Sequence, residues 1–202
     1  MSDSPGTPRQ QKRGRERRRL ILQATRELLS EKGLEEISLS DVAERSGIPP
    51  GSLYHFYPSL TKLFSALAAQ FYAELREHFR QNESTFRAST WQEYVHNVIQ
   101  VSAEFYRAHP PYQELMLSGK ATEEMKRKAR LDDFFRTVYR RVLAPRLGLP
   151  LVENDRVIFL NTLMIIETML SVAVIRDGSL HEAGVKEAQR AGEAYMGLYV
   201  NA

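Results

Sequence analysis

The feature that most limits what this chain can fold into is the spacing of its large apolar residues, which recur every three or four positions from Ile21 almost to the end. That period buries one stripe of a helix, whereas a half-buried strand needs alternation at every second residue. Strand-like alternation of useful length is missing from the sequence. The expectation is therefore an all-α fold, with punctuation that divides it into about nine helices in total. Ile21, Ala24, Thr25 and Leu28 mark one face of a first helix running from Glu16, and Gly33 is expected to stop it in the left-handed conformation. Ser38 is placed to cap a short second helix, with Asp41 favouring its positive end, and Ser46-Gly47 closes it. A third helix opens at Pro50, where a missing amide costs nothing, and runs to about Tyr57. Ser59 can cap a long fourth helix carrying Leu63, Phe64, Leu67, Phe71 and Leu75 and ending near Asn82.

The same grammar continues with larger residues. Thr90 to Glu93 reads as a capping box, opening a helix that Pro110-Pro111 should end, and a short helix from Tyr112 to Ser118 follows. A longer helix starts at Thr122, carries Met125, Phe134, Phe135, Val138, Tyr139 and Val142, and is expected to stop at Pro145 and Gly148. An apolar helix spans about Glu153 to Arg176. Ser179 and Glu182 form a second capping box before a last helix rich in small residues, among them Ala183, Gly184, Ala188, Ala191, Gly192 and Ala194. Residues 1–15 are polar, basic and rich in Pro and Gly, so they read as a disordered arm. The expected organisation is arm 1–15, a head of three helices at 16–60, and a helical body at 61–202.

Several classes of chemistry find no residues to carry them. The sequence has no cysteine, which removes disulfides, thiolate metal sites and cysteine nucleophiles and fits a reducing cytoplasm. Its five histidines are scattered, and neither a glycine-rich phosphate loop nor a Gly-x-Ser-x-Gly elbow occurs. Glu93 and His96 have the Glu-x-x-His spacing of di-iron bundles, but such sites need a second copy, so Glu93 reads as a cap. The expectation is no catalytic residue, no metal, no cofactor and no enzyme. Val157 to Ile175 is long enough to cross a bilayer, yet it carries Asn161, Thr162, Glu167, Thr168 and Ser171. A carboxylate at a bilayer centre costs about 2.5–3.5 kcal/mol. We read the segment as a core or interface helix of a cytoplasmic protein with no membrane partner.

Charge is distributed unevenly around a net +3. Arg9, Lys12, Arg13, Arg15, Arg17, Arg18 and Arg19 stand against the single acid Glu16, a run that suits a polyanion. Just after it, Leu39 to Tyr57 supplies the parts of a helix-turn-helix: Gly47 in the turn, Leu39, Val42, Ala43, Ile48 and Leu53 as the apolar lock, and Gly51, Ser52, Tyr54 and His55 on the outer face. Those outward groups offer hydroxyl, imidazole and bare backbone to DNA.

Here the sequence resembles the TetR family of bacterial transcription regulators. The resemblance runs from about Arg19 to Leu67. Its residues are Ile21-Leu22 and Ala24, Glu31-Lys32-Gly33, Ser38-Leu39-Ser40-Asp41-Val42-Ala43, Ser46-Gly47-Ile48 and Gly51 through Ser59. It implies a homodimer on a palindromic double-stranded DNA operator, with each third helix in a major groove. The DNA-contacting residues implied are Ser38, Pro50, Gly51, Ser52, Tyr54 and His55, supported by Lys62 and by Arg17 and Arg18 of the arm. Two positions depart from the family pattern. Pro49 stands where a polar cap is usual, and Leu60 where a phosphate-binding lysine is usual; Lys62 lies about 200° around the helix from Leu60.

For the body, the resemblance implies a small-molecule effector, largely apolar, held between helices. The candidate contacts are Tyr94, Phe105, Tyr139, Asn161, Met164 and Glu167. The last two helices are expected to form a symmetric four-helix dimer interface. The whole reads as a ligand-responsive repressor. Its rival is a helical small-molecule-binding or scaffold protein whose head does not bind DNA, the reading that Pro49 and Leu60 favour.

Overall fold

The computed structural model of the chain describes residues 8–82, 87–118, 136–151 and 153–200. Among them lie nine helices and no strand: α1 (Pro8–Glu31), α2 (Leu39–Ser46), α3 (Pro50–Phe56), α4 (Leu60–Gln81), α5 (Trp91–Ala108), α6 (Pro110–Leu117), α7 (136–147), α8 (Asp155–Asp177) and α9 (Glu182–Val200). A single 3₁₀ turn, Leu34–Glu36, sits between α1 and α2. The expected helix start at Thr122, with Met125, Phe134 and Phe135, lies outside the described residues, as do residues 1–7 of the arm.

Local chemistry sets most boundaries. The Ser38 hydroxyl accepts from the Asp41 amide at 3.1 Å, while the Asp41 carboxylate accepts from the Ser38 amide at 2.8 Å, a closed capping box. Gly47 ends α2 at φ 66°, a conformation that costs an L side chain roughly 1–2 kcal/mol. Ser59 caps α4 through the Lys62 amide at 3.3 Å, and Thr90 caps α5 through the Glu93 amide at 3.1 Å. Glu93 is a cap, as its sequence position suggests, although its carboxylate takes the Ser89 amide at 2.6 Å rather than that of Thr90.

Five expectations need correction. The arm is helical from Pro8 onward: proline suits a first turn, and the Arg, Lys and Gln that follow are good helix formers that carry the helix through Gly14. Gly33 is not left-handed. It lies at φ −65° and leads into the 3₁₀ turn, its amide held by the Glu36 carboxylate at 2.9 Å. Pro110 opens α6 rather than merely closing α5. Pro145 does not stop α7, because the segment Tyr139–Leu143 just before it is a π-helix, whose wider turn accommodates the missing proline amide; Gly148, at φ 64°, does stop it. No Ser179–Glu182 box forms, since the Ser179 hydroxyl pairs with the His181 ring at 2.9 Å and α9 begins at Glu182.

The core is continuous from head to body. Ile21, Leu28, Val42 and Leu53 are buried together in the head. α4 then passes into the body with Leu63, Leu67, Phe71, Leu75 and Phe79 all buried along one side. At 22 residues it spans about 33 Å. Phe71 meets Phe105, Tyr106 and Tyr112 with ring centroids 4.4–5.4 Å apart, which ties α4 to α5 and α6.

The small residues of α9 work within the subunit, not at its outer face as expected. Gly184, Ala188 and Gly192 are buried at four-residue spacing. A Cβ on Gly184 would overlap the Ala173 methyl of α8, and one on Gly192 would come within 3.1 Å of Ile166 and 3.3 Å of Val95. The other face of the α8–α9 pair exposes apolar side chains: Val157, Met164, Val172, Ile175 and Leu198 are 47–69 % accessible. α8 is also long and apolar enough to cross a membrane, by length and composition.

Gly184→Ala should therefore part α8 from α9 and lower stability by about 1–3 kcal/mol, the usual cost of overpacking. Gly14→Ala, in open space on a helix, should raise it by about 0.5–1 kcal/mol. Thermal unfolding followed by circular dichroism checks both; equal shifts would contradict this packing.

Candidate nucleic-acid interface and interior cavities

The third helix is short because Pro49 and Pro50 open it and Pro58 follows it. Pro49 sits at the cap position without a side-chain bond, and its carbonyl accepts from the amides of Ser52 at 2.9 Å and Leu53 at 3.0 Å. Leu53 is fully buried and Tyr57 nearly so, which pins the inner side of α3 to α1 and α4. The outer side is left to Pro50, Gly51, Tyr54 and His55, all exposed, with Ser52 half-buried beside them. Tyr54 is 52 % accessible, unusual for so large a ring. These residues share one continuous surface, as their spacing anticipated.

The basic stretch of α1 lies next to that surface. The Arg18 guanidinium sits over the Phe56 ring, 5.4 Å from its centroid, so the arm is anchored on the third helix. Arg9, Lys12, Arg13, Arg15 and Arg17 are exposed on the same helix. Arg19 is matched within α1 by Glu16 at 2.8 Å. Ser38 is exposed, but its hydroxyl proton goes to the Asp41 carboxylate at 2.9 Å. The Ser38 amide and hydroxyl hold that carboxylate below its usual range. Lys62 is exposed in the first turn of α4, next to Ser59. The head is braced by Arg45 of α2, which donates to both oxygens of Glu31 at 2.9 and 2.7 Å.

Head and body meet at a polar node that sequence reasoning missed. Glu74 of α4 lies 3.3 Å from the Arg26 guanidinium of α1, accepts from the Tyr112 hydroxyl of α6 at 3.0 Å and from Gln70 at 2.9 Å. The same guanidinium lies over the Tyr112 ring, 4.6 Å from its centroid. Burial, and then the Glu74 charge, raise the Tyr112 phenol, which keeps its proton for this bond. Nearby, the Leu34 amide donates to Glu114 of α6 at 2.9 Å.

Two adjoining cavities lie inside the body. One, with about 430 Å³ of empty space including its mouth, is lined by Tyr72, Leu75, Val98, Ile99, Ser102, Tyr106, Leu163, Ile166, Glu167 and Leu170. The other, about 340 Å³ on the same measure, is lined by Tyr94, Val95, Val98, Phe159, Thr162, Leu163, Ile166 and Met196. Val98, Leu163 and Ile166 form the wall between them. Room for a water molecule inside each amounts to only about 30 Å³, so a larger guest must part the helices. Of the six sequence candidates, Tyr94 and Glu167 line these cavities. Phe105 belongs to the aromatic core, stacked on His109 at 4.2 Å. Tyr139 donates to the Pro150 carbonyl at 2.8 Å and packs on Phe159. Asn161 donates to the Tyr195 hydroxyl at 2.8 Å, and Met164 is 48 % exposed on α8. Tyr72, Ser102 and Tyr106 were missed because helical spacing marks all three as ordinary core or flank positions.

Residues 21–67 match the model of the bacterial regulatory proteins of the tetR family. The nucleoid occlusion factor SlmA of Pasteurella multocida is 33 % identical over 126 residues, covering 60 % of this chain and 61 % of SlmA. The SlmA of Haemophilus influenzae strain PittGG is 31 % identical over 133 residues, 64 % of this chain and 60 % of that one. The chain thus spans about three-fifths of the length of these curated relatives. Among solved structures, a TetR-family transcriptional regulator from Streptomyces coelicolor aligns with a TM-score of 0.69 at 23 % identity, covering 91 % of this chain and 99 % of its own. The TetR-family repressor FadR of Thermus thermophilus, solved in complex with lauroyl-CoA, aligns with a TM-score of 0.64 at 16 % identity, covering 89 % of this chain and 94 % of its own. With its head matched in sequence and its fold matched over most of its length, the chain belongs to the TetR family of bacterial regulatory proteins.

Proposed function

We propose that this protein is a DNA-binding transcriptional regulator, a ligand-responsive repressor that acts in the cytoplasm as a homodimer on a palindromic operator. The observation that carries the reading is the outer face of α3, with Tyr54 and His55 exposed and the basic α1 docked beside it through Arg18 and Phe56. A protruding polar helix face flanked by cations suits a major groove bordered by phosphates. In this assignment Pro50, Gly51, Ser52, Tyr54 and His55 face base edges or nearby phosphates. Arg17, Arg18, Lys62 and the helical arm contact phosphates, the arm offsetting the absent lysine at Leu60. Ser38 acts first as the cap of α2.

The exposed apolar stripe of α8 and Leu198 of α9 supports dimer formation, since contiguous patches of this kind mark association surfaces. In the body, the paired cavities support a small effector of mostly apolar character. Tyr72 and Leu75 of α4 line one cavity, and Glu74 of the same turn holds Arg26 and Tyr112. A guest that displaces Tyr72 therefore shifts the node that fixes α1 and the head. Coupling of this kind requires effector and operator to favour different positions of α4.

A second reading has one observation in its favour. The match to the nucleoid occlusion factor SlmA extends over 126 residues, well past the head. A chain acting on the nucleoid as a whole would occupy many sites, whereas a repressor would occupy few, next to promoters. Genome-wide mapping of bound DNA separates the two.

Three outcomes are expected. Binding to the DNA upstream of its own gene should be saturable and should weaken with salt; removing residues 1–15 should weaken all sequences alike and flatten the salt slope by about one for each lost phosphate contact. His55→Ala or Tyr54→Ala should instead change sequence preference, by about 1–3 kcal/mol at the affected base pair. Mobility shift at several salt concentrations reads both effects, and reversed roles would contradict the assignment. Val172→Asp should turn a dimer into a monomer by sedimentation at micromolar concentration, while a monomeric parent chain would remove the dimer. Arg26→Ala should leave operator affinity within a few-fold and abolish release by effector; unchanged release would rule out the node as the link.

A further inference from the structure

The lining of the larger cavity is chemically one-sided. Its charged member, among the described residues, is Glu167, and it contains no lysine or arginine. The Tyr72 hydroxyl donates to one Glu167 oxygen at 2.8 Å, and the Tyr106 hydroxyl lies within hydrogen-bonding reach of Tyr72. Burial, and after it the Glu167 charge, pushes both phenols upward, so they remain neutral. The result is an anion beside two aromatic rings at one end of an apolar interior. At the other end, past Leu163 and Ile166, the second cavity is lined almost entirely by apolar side chains.

From this arrangement, and resting on the reading of the body as an effector site, we infer that the effector is an elongated apolar molecule with a single cationic head, an alkylammonium in chemical class. The head would sit against the Glu167 carboxylate and the Tyr72 and Tyr106 rings, the combination that attracts quaternary ammonium groups. The tail would run between Leu163 and Ile166 into the second cavity. An anionic head meets the opposite situation: it would bring a second negative charge to Glu167 in a poorly solvated interior, where like charges repel more strongly than in water. The sign of the head therefore decides which amphiphiles enter, while the apolar walls accept any tail of suitable length. The preference is the reverse of what a fatty carboxylate would need.

The test compares three twelve-carbon probes of equal tail and different head, each below its micelle concentration, by calorimetry on the full chain: dodecyltrimethylammonium, dodecanol and laurate. The expected order is the cation tightest and laurate weakest. Glu167→Gln should cut affinity for the cation about ten- to hundredfold, the range for loss of a charged partner, and leave dodecanol within about threefold. Tyr72→Phe keeps the carboxylate and should retain the preference for the cation. If all three probes bind and laurate equals or exceeds the cation, the charge class is overturned while the effector site stands. If Glu167→Gln weakens all three probes alike, Glu167 is a structural strut between α4 and α8 and the inference is likewise overturned. If none binds, the effector reading itself fails and takes the inference with it. The wild-type comparison needs no variant, so poor folding of Glu167→Gln would leave the order of the three heads as a decisive result.

Discussion

The fourth helix has to serve two cores at once, and the rest of the molecule is arranged around that constraint. Leu63 and Leu67 complete the head, while Phe71, Leu75 and Phe79 belong to the body. Each such side chain contributes about 1.5–3 kcal/mol when fully buried, so the stripe holds the two halves in one cooperative unit. Its opposite flank carries Gln70 and Glu74, which fasten α1 and α6. A rigid helix, apolar on one side and pinned through a carboxylate on the other, cannot move at one end without disturbing the other.

That arrangement gives the Arg26–Glu74–Tyr112 node its interest. Arg26 and Glu74 are about 30 % accessible, wet enough to rearrange yet partly shielded, so the pair is neither a screened surface bridge nor a locked interior one. The guanidinium serves two partners with different geometry, accepting a place over the Tyr112 ring while donating toward Glu74. Position along α4 explains why cavity and node are neighbours: Tyr72 and Leu75 look toward α5 and α8, and Glu74 toward α1 and α6.

Much of this was legible in the sequence where the governing interaction is local. The caps at Ser38, Ser59 and Thr90 follow from hydroxyls three residues before an amide, and Gly47 from a turn that needs positive φ. The outward face of α3 followed from two-sided spacing around Leu53. Readings failed where a local signal was overridden by its surroundings. Pro145 is accommodated by the π-helical segment before it, and the small residues of α9 face Ala173 and Ile166 rather than a second subunit. The cavity was harder still to foresee. Tyr72, Ser102 and Glu167 come from three helices far apart in sequence, and no periodicity within one helix announces that they converge. Two candidate contacts, Tyr94 and Glu167, were found through residue chemistry; Phe105 and Tyr139 have the same chemistry and serve as packing.

The central claim is that two copies of the α3 face read one stretch of DNA. Hydroxyl-radical footprinting of the full chain on the region upstream of its own gene tests it most directly. The account expects two symmetry-related protected segments whose centres lie about 34–36 Å, one helical turn, or a multiple of it apart. Uniform protection without symmetric segments, or none at low salt, would contradict it.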